Sequence, residues 1–132
     1  MIDAEVKIFN RVYDKAAPLC ANKKFVSTMI VDPPSAFPAA SLIEMSNTTI
    51  RSRQSSTPVE NYARIMYQLD VYATSKSKCR EVFAAVDEEM ISMNFSRMSC
   101  DFINLPDNPN LFRYVARYEA EIDQEGNIYR RA

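Results

Sequence analysis

The spacing of apolar positions changes several times along the chain, and each change predicts a new element of secondary structure. Apolar residues at intervals of three and four form one stripe near the N-terminus: Ile2, Val6, Phe9, Tyr13 and Ala16. This stripe predicts a helix from Asp3 to about Lys15, with Asp3 as its N-cap and Pro18 ending it. β-branched residues over Lys24–Val31 indicate a strand, and Ala39–Met45 indicates a second strand.

The middle of the chain carries a long alternation of apolar and polar residues, followed by a helical pattern. Tyr62–Ala73 reads as a strand, and its core face is Ala63, Ile65, Tyr67, Leu69, Val71 and Ala73. The other face is Tyr62, Arg64, Met66, Gln68, Asp70 and Tyr72. Thr74 or Ser75 then caps a helix that runs to about Met93. Its predicted buried stripe is Cys79, Val82, Phe83, Val86, Met90 and Met93.

Two further alternating stretches complete the pattern. Phe95–Leu105 predicts a strand with Met98, Cys100 and Phe102 facing inward, and Leu111–Asp123 predicts a strand that pairs with it as a hairpin. The last residues, "IYRRA", are a short tail that adds a strand or docks on a neighbour.

The order of elements is α–β–β–β–α–β–β, which predicts a single α+β domain over residues 1–132. We expect a mainly antiparallel sheet of about four to five strands, with two helices packed on one face. A long polar loop is predicted over residues 46–60, because fifteen nearly wholly polar residues exceed a hairpin turn.

Composition removes most catalytic classes. The 132 residues include no histidine, one glycine and three separated cysteines, so a Cys–His nucleophile, a zinc cluster and a P-loop are all excluded. We expect buried thiols, no metal, no cofactor and no catalytic residues. A small enzyme that depends on carboxylates, or a nucleic-acid-binding module, stays open as an alternative.

The net charge and the length of the apolar runs restrict the classes of partner that the chain is expected to bind. Sixteen basic residues against seventeen acidic ones give a formal charge of -1, so strong attraction to nucleic acid or to an anionic membrane is not expected. No apolar run approaches the ~20 residues that span a bilayer. The N-terminus lacks the basic and apolar layout of a signal peptide, which predicts a reducing compartment.

Three groups of side chains have both a structural and a functional interpretation. Arg51 and Arg53 in the polar loop are either a solvated tip or a contact for an acidic partner or nucleic acid. Arg113 and Arg117, with the acids of the same strand, form either cross-strand ion pairs on a solvated face or a surface that meets other subunits. The aromatic set Phe102, Tyr114 and Tyr118 is either core packing or an RNA-stacking platform, and core packing is favoured without the basic and glycine signature.

Four segments, read in order, resemble a known family. They are "FPAASLIEMSN" (37–47), "ENYARIMYQLDVYATSKSK" (60–78), "VDEEMISMNFSRM" (86–98) and "NLFRYVARYEAEID" (110–123), with "NIYRR" behind. Together they resemble the small tail-completion proteins of long-tailed bacteriophages and prophages, of the tail terminator type. The similarity is one of strand pattern and a few dipeptides, over about residues 37–131.

The resemblance implies a structural role and no enzyme activity. Such proteins form a hexameric ring on the last ring of the tail tube, stop its growth and provide the joint to the head or neck. The expected partners are the chain itself, the major tail tube protein and a head-completion or neck protein. DNA would pass through the ring without sequence-specific binding, and no membrane is involved.

The expected location is the virion, in the neck region of the tail, after synthesis in the cytoplasm of the host bacterium. A head-closure, neck or tail-tube protein of the same particle is the alternative within this class. Apolar residues on a nominally solvated strand face need cover, and edge strands and long loops are devices for ring closure. The residues expected at subunit or tail-tube contacts are therefore Ile50, Arg51, Ser52, Arg53, Met66, Tyr72, Arg113 and Arg117.

Overall fold

Two helices and a mixed sheet make up the fold in a computed structural model that describes residues 3–20, 25–27, 38–49, 62–103 and 111–129. The helices are α1 (Glu5–Ala16), followed by a 3₁₀ turn at Ala17–Leu19, and α2 (Lys76–Ser92). The strands are β1 (Phe25–Val26), β2 (Ala39–Thr49), β3 (Tyr62–Ala73), β4 (Ser96–Ile103), β5 (Phe112–Asp123) and β6 (Ile128–Tyr129).

The sheet is organised around β3 and β5, which pair antiparallel along their full length from Tyr62↔Asp123 to Ala73↔Phe112. Its order is β1-β2-β3-β5-β4, and β6 pairs with the end of β5. The β1–β2 pair is parallel, whereas the other pairs are antiparallel. The predicted α+β class is confirmed. The described part of the sheet has six strands, more than expected, because Ile128 and Tyr129 of the tail form β6.

Both helices contribute to one core on the same face of the sheet. The core combines Ile8, Val12 and Ala16 of α1, Cys79, Val82, Val86 and Met90 of α2, the predicted inward residues of β3, and Tyr114, Ala116, Tyr118, Ala120 and Ile122 of β5. Tyr67 and Phe95 meet edge to face at 5.6 Å within it. Burial of each large apolar side chain stabilises the fold by about 1.5–3 kcal/mol. The alternation along β3 and β5 therefore fixes which face of the sheet the helices cover.

The apolar stripe of α1 differs from the prediction. The fully buried line runs through Ile8, Val12 and Ala16, whereas the predicted Phe9 and Tyr13 are partly buried against the core and Val6 is 70% exposed. Spacing alone allows either line, and contact with the sheet selects the one at intervals of four. The helix begins at Glu5, so Asp3 is not the N-cap residue; its Oδ1 accepts a hydrogen bond from the Glu5 N–H at 3.2 Å. Ser75 does occupy the N-cap position of α2, but without a side-chain capping hydrogen bond.

Strand β2 is longer than predicted. It continues to Thr49, so residues 46–49 of the predicted loop are strand and pair with Ala63–Met66. A β-bulge between Glu44 and Ser46 inserts Met45. A polar sequence can form a strand here because the pairing uses backbone groups. The rest of the predicted loop, residues 50–60, lies outside the described residues, as does most of the predicted strand 24–31.

The prediction for β4 is correct in the side that Cys100 and Phe102 face, since the register places them opposite the core residues Ala116 and Tyr114, but it is wrong in their burial. Met98 is 54% exposed, Phe102 is 38% exposed and Cys100 is also exposed. A bulge between Arg97 and Ser99 breaks the alternation, and β4 lies at the edge of the described sheet, where α2 covers it only in part. The pairing of β4 with β5 agrees with the predicted hairpin.

Candidate interaction surface

The face of the sheet opposite the helices is lined by polar side chains from the two central strands. We call it the open face, and its central residues form a connected set, the polar ladder: Arg64, Gln68, Asp70, Arg113, Arg117 and Glu119. The register of β3 and β5 places Gln68 opposite Arg117 and Met66 opposite Glu119. Antiparallel alternation thus brings charged residues from distant parts of the chain side by side.

Asp70 is the centre of the polar ladder. Its Oδ1 accepts hydrogen bonds from Arg113 Nε at 3.2 Å and from Arg113 Nη2 at 2.8 Å. Its Oδ2 accepts from Gln68 Nε2 at 3.1 Å, and Gln68 Oε1 accepts in turn from Arg117 Nε at 3.3 Å. Asp70 is only 3% exposed, although the two described helices pack on the other face of the sheet. Each oxygen of the carboxylate has a donor, so the group is held in one orientation.

A second ion pair extends the ladder along the same strands. Arg64 Nε lies 3.1 Å from Glu119 Oε1, and Glu119 is 3% exposed. The two residues are diagonal neighbours, since Arg64 stands directly opposite Glu121 in the register. Buried carboxylates carry a desolvation cost that only close cationic partners offset. Both buried acids of the open face are therefore paired with arginine.

The apolar residues of the open face are held within this polar frame. The guanidinium of Arg113 lies 5.4 Å from the centre of the Tyr72 ring, a cation–π contact. Burial raises the pKa of Tyr72, and Asp70 adds to the effect against the influence of Arg113. Met66 is half-buried on the same face. The open face thus presents a neutralised and ordered surface with some apolar area, which suits contact with another protein surface.

The structure brings together four of the residues expected at an interface: Met66, Tyr72, Arg113 and Arg117. The other four, Ile50 to Arg53, lie outside the described residues. The alternative interpretation of the charged strand was cross-strand ion pairs on a solvated face. Arg113 does form a cross-strand ion pair with Asp70, but Asp70 is buried and not solvated. Gln68 and Asp70 lie on the face away from the core, as predicted. Their burial on that face was not predicted.

The aromatic set on the other face of β5 packs as predicted for core residues in two of three cases. Tyr118 and Tyr114 are buried, and Phe102 is partly exposed at the edge of the sheet. The Tyr118 hydroxyl donates to Asp87 Oδ1 at 2.8 Å, and Asp87 also pairs with Arg97. Burial first, then the hydrogen bond to Asp87, raises the pKa of Tyr118. Asp87 of α2 is therefore engaged with both Tyr118 of β5 and Arg97 of β4.

Within the described ranges no group of histidine, cysteine or carboxylate side chains is arranged to hold a metal ion. Among the same residues, none of the helices has the length and apolarity that a membrane crossing requires. No protein-family model matches the chain, and a search of curated proteins also finds no match.

Proposed function

We propose that this chain is a virion structural protein that forms a ring at the head-proximal end of a phage tail tube. In this proposal the ring, a hexamer in the family that the sequence resembles, terminates tail growth and provides the joint to the head or neck. The observation that supports an assembly role is the open face with its polar ladder. Its two buried acids, Asp70 and Glu119, are both engaged by arginines, so the surface is built for fixed contact.

A surface of this kind suits assembly for two physical reasons. Side chains already held by hydrogen bonds lose little freedom when a partner binds, which lowers the entropic cost of association. Arranged charges of both signs also fix the register of the partner and disfavour wrong orientations. Both effects serve a surface that stacks on a neighbouring component, such as the tail tube, in one fixed orientation.

The proposed ring surrounds the path of DNA. A strongly basic lumen would hold DNA through its phosphates and slow its passage. The polar ladder places Arg113 and Arg64 against carboxylates, and the whole chain has a formal charge of -1. This balance fits a protein that DNA passes without binding.

Electron microscopy of a deletion mutant tests the proposal. The gene is removed from the phage or prophage that encodes it, and particles are compared with those complemented by the wild-type gene. We expect overlong tails that are not joined to heads. Tails of normal length beside tailless, leaking heads would favour the head-closure alternative, and normal joined virions would overturn the proposal.

Complementation with variants then tests the open face. Arg117→Glu reverses a charge that is exposed and bonded only to Gln68 among the described residues, so we expect a folded protein that fails to restore joined virions. The matched control is Lys78→Glu, which reverses an exposed charge on the helical side of the sheet that has no ion pair with a described carboxylate. If both variants complement equally, the open face has no role in assembly. Circular dichroism of both purified variants checks that the fold is kept.

A further inference from the structure

A second surface, on the helical side of the sheet, lies where α2 leaves part of β4 uncovered. We call it the α2–β4 groove. Three rings meet there: Phe83 stacks on Tyr114 at 5.9 Å, and Phe102 meets Tyr114 edge to face at 5.4 Å. Phe102 is 38% exposed, and the exposed thiol of Cys100 precedes it by two residues on the same strand. The core thus continues to the surface as an aromatic shelf.

Cationic side chains surround this shelf. Lys76 Nζ lies 5.1 Å from the centre of the Phe102 ring, and the guanidinium of Arg97 lies 5.8 Å from that of Phe83. Arg80 Nε donates a hydrogen bond to the hydroxyl of Tyr114 at 2.9 Å. Arg97 is paired with Asp87, but neither Lys76 nor Arg80 has an ion pair with a described carboxylate. Lys76 and Arg80 therefore place positive charge beside apolar rings without a carboxylate partner among the described residues.

At one end the groove opens into a cleft of about 380 Å³ between α2 and the start of β4. Its lining includes Ile91 and Phe95 together with the paired charges Asp87 and Arg97. The combination of apolar walls and cations selects a partner with acidic side chains beside an exposed apolar one.

The chain carries a surface of that chemistry on its other side. Asp3 and Glu5 lie together at the start of α1, where Asp3 Oδ1 accepts a hydrogen bond from the Glu5 N–H, and Glu44 of β2 lies within reach of both charges. Burial raises the pKa of Glu44, and the charges of Glu5 and Asp3 raise it further, so these groups repel one another. None of the three has an ion pair with a described cation. Val6, 70% exposed, and Met45, 47% exposed, lie next to them in sequence; we call these five residues the acidic end.

The two surfaces belong to different sides of the molecule. Phe9 of α1 packs on Phe25 of β1, which places α1 toward the β1–β2 side of the sheet. α2 contacts β4 at the opposite side. A surface of one sign on one side and its complement on the other can join identical copies head to tail, in a closed ring or an open chain.

We infer that the α2–β4 groove binds the acidic end of a second copy of this chain. Lys76 and Arg80 then meet Asp3, Glu5 and Glu44, and Val6 covers the exposed part of the aromatic shelf. In this contact the carboxylates of the acidic end and the cations Lys76 and Arg80 of the groove become partners of each other. The inference deepens the proposed function, since it names the contact by which the proposed ring closes.

Cysteine cross-linking tests the contact directly. Cys100 is an exposed thiol on β4 beside the groove, whereas Cys20 and Cys79 are buried. Val6→Cys adds a thiol to the acidic end, and a short bis-maleimide is applied to the concentrated, purified full-length chain. We expect a ladder of dimers, trimers and larger species on a denaturing gel. The ladder must disappear in V6C/C100S, and D14C, an exposed position on the same helix, should give only background.

Charge reversal supplies a second measurement on the V6C protein. K76E/R80E should lower cross-linking about tenfold, the effect of losing roughly one favourable charged contact. An acidic residue in the first turn of α2 favours the helix, so the variant is expected to fold. K78E is the matched control, because Lys78 is an exposed cation of the same helix outside the groove contacts described above. Adding E5K to the K76E/R80E chain should restore much of the ladder.

A V6C ladder no stronger than that of D14C overturns the inference, as does a ladder that K76E/R80E and K78E weaken equally. A groove that captured only a different acidic protein would give this negative result. Failure of the proposed function is separate: cross-linked ladders together with normal joined virions from the deletion mutant would keep the contact and reject the role in the tail.

Discussion

Replacing Asp70 by alanine removes the acceptor at the centre of the polar ladder. The carboxylate receives two hydrogen bonds from Arg113 and one from Gln68, and its side chain is 4% exposed. The substitution leaves the guanidinium of Arg113 and the amide of Gln68 without their shared partner. We therefore expect D70A to be one of the most destabilising changes on the open face.

The magnitude follows from burial and charge. Breaking a fully buried ion pair costs about 3–5 kcal/mol. The Arg113 side chain is 28% exposed and can be hydrated after the substitution. The cost of D70A is therefore closer to that of losing hydrogen bonds to a charged group, about 1.5–3 kcal/mol, than to that of breaking a fully buried ion pair. We expect D70A to lower the free energy of unfolding by about 2–3 kcal/mol.

Urea unfolding, followed by circular dichroism, measures this change. With a slope of about 1–3 kcal/mol per molar urea, the midpoint should fall by about 1–2 M at an unchanged slope. D70N should lose less, about 1–2 kcal/mol, because its oxygen still accepts from Arg113 while its amide nitrogen faces that of Gln68.

The matched control is R11A, which breaks the ion pair of Arg11 with Glu89 on the helical side. The Arg11 side chain is 53% exposed, so a loss below about 1 kcal/mol is expected. If D70A loses no more than R11A, burial on the open face does not strengthen the ladder, and the reasoning is refuted.

Three further predictions rest on a hydrogen bond of Tyr118, the backbone conformation of Asn94 and the burial of two cysteines. Y118F should lower the free energy of unfolding by about 1–2 kcal/mol, because the Tyr118 hydroxyl loses its bond to Asp87. Since its pKa is raised in the folded state, stability should fall as the pH rises above about 10, where the unfolded tyrosine ionises, and Y118F should show a smaller fall. Asn94, at a φ of 70°, ends α2 in the left-handed region, so N94A should lose about 1–2 kcal/mol while N94G loses less. With a thiol reagent at pH 8, Cys100 alone should react in the folded protein, because burial raises the pKa of the other two thiols to about 11.

Each of these predictions has a clear contrary result. Equal alkaline stability losses in the wild type and Y118F would exclude a role for the tyrosine proton. An N94A variant as stable as the wild type would mean that the backbone conformation costs nothing there. Three thiols that react at the same rate without denaturant would contradict the burial of Cys20 and Cys79. A C100S variant in which no thiol reacts even with denaturant present would show that burial is not what protects these two thiols.

Much of the fold was accessible from the pattern of apolar residues. The alternation in Tyr62–Ala73 and Leu111–Asp123 predicted β3 and β5 nearly to the residue, because a strand with one face in the core has a strict period of two. Every position predicted in the buried stripe of α2 is buried except Phe83, which is half-buried in the groove. In these three elements the spacing of apolar residues is regular, and one side of each element faces the same core along its whole length.

The errors occur where the surroundings of an element change along its length. In β4 a bulge and a position beyond α2 leave Met98 exposed, although its apolar character predicted an inward position. In β2 a polar sequence continues as strand to Thr49, since β3 supplies backbone partners. Neither the bulge nor the partner strand can be read from local spacing.

The candidate surface shows the same division. The sequence by itself determined that β3 and β5 each have a polar face with arginines, because alternation assigns every residue to one of two sides. Only the tertiary structure decided that Arg113 binds Asp70, 43 residues away, since this depends on the register in which the two strands pair. Tertiary structure also decided that Asp70 is buried, although it lies on the face away from the two described helices. Local sequence fixes the side on which a residue lies, whereas pairing across the sheet fixes its neighbours and its access to water.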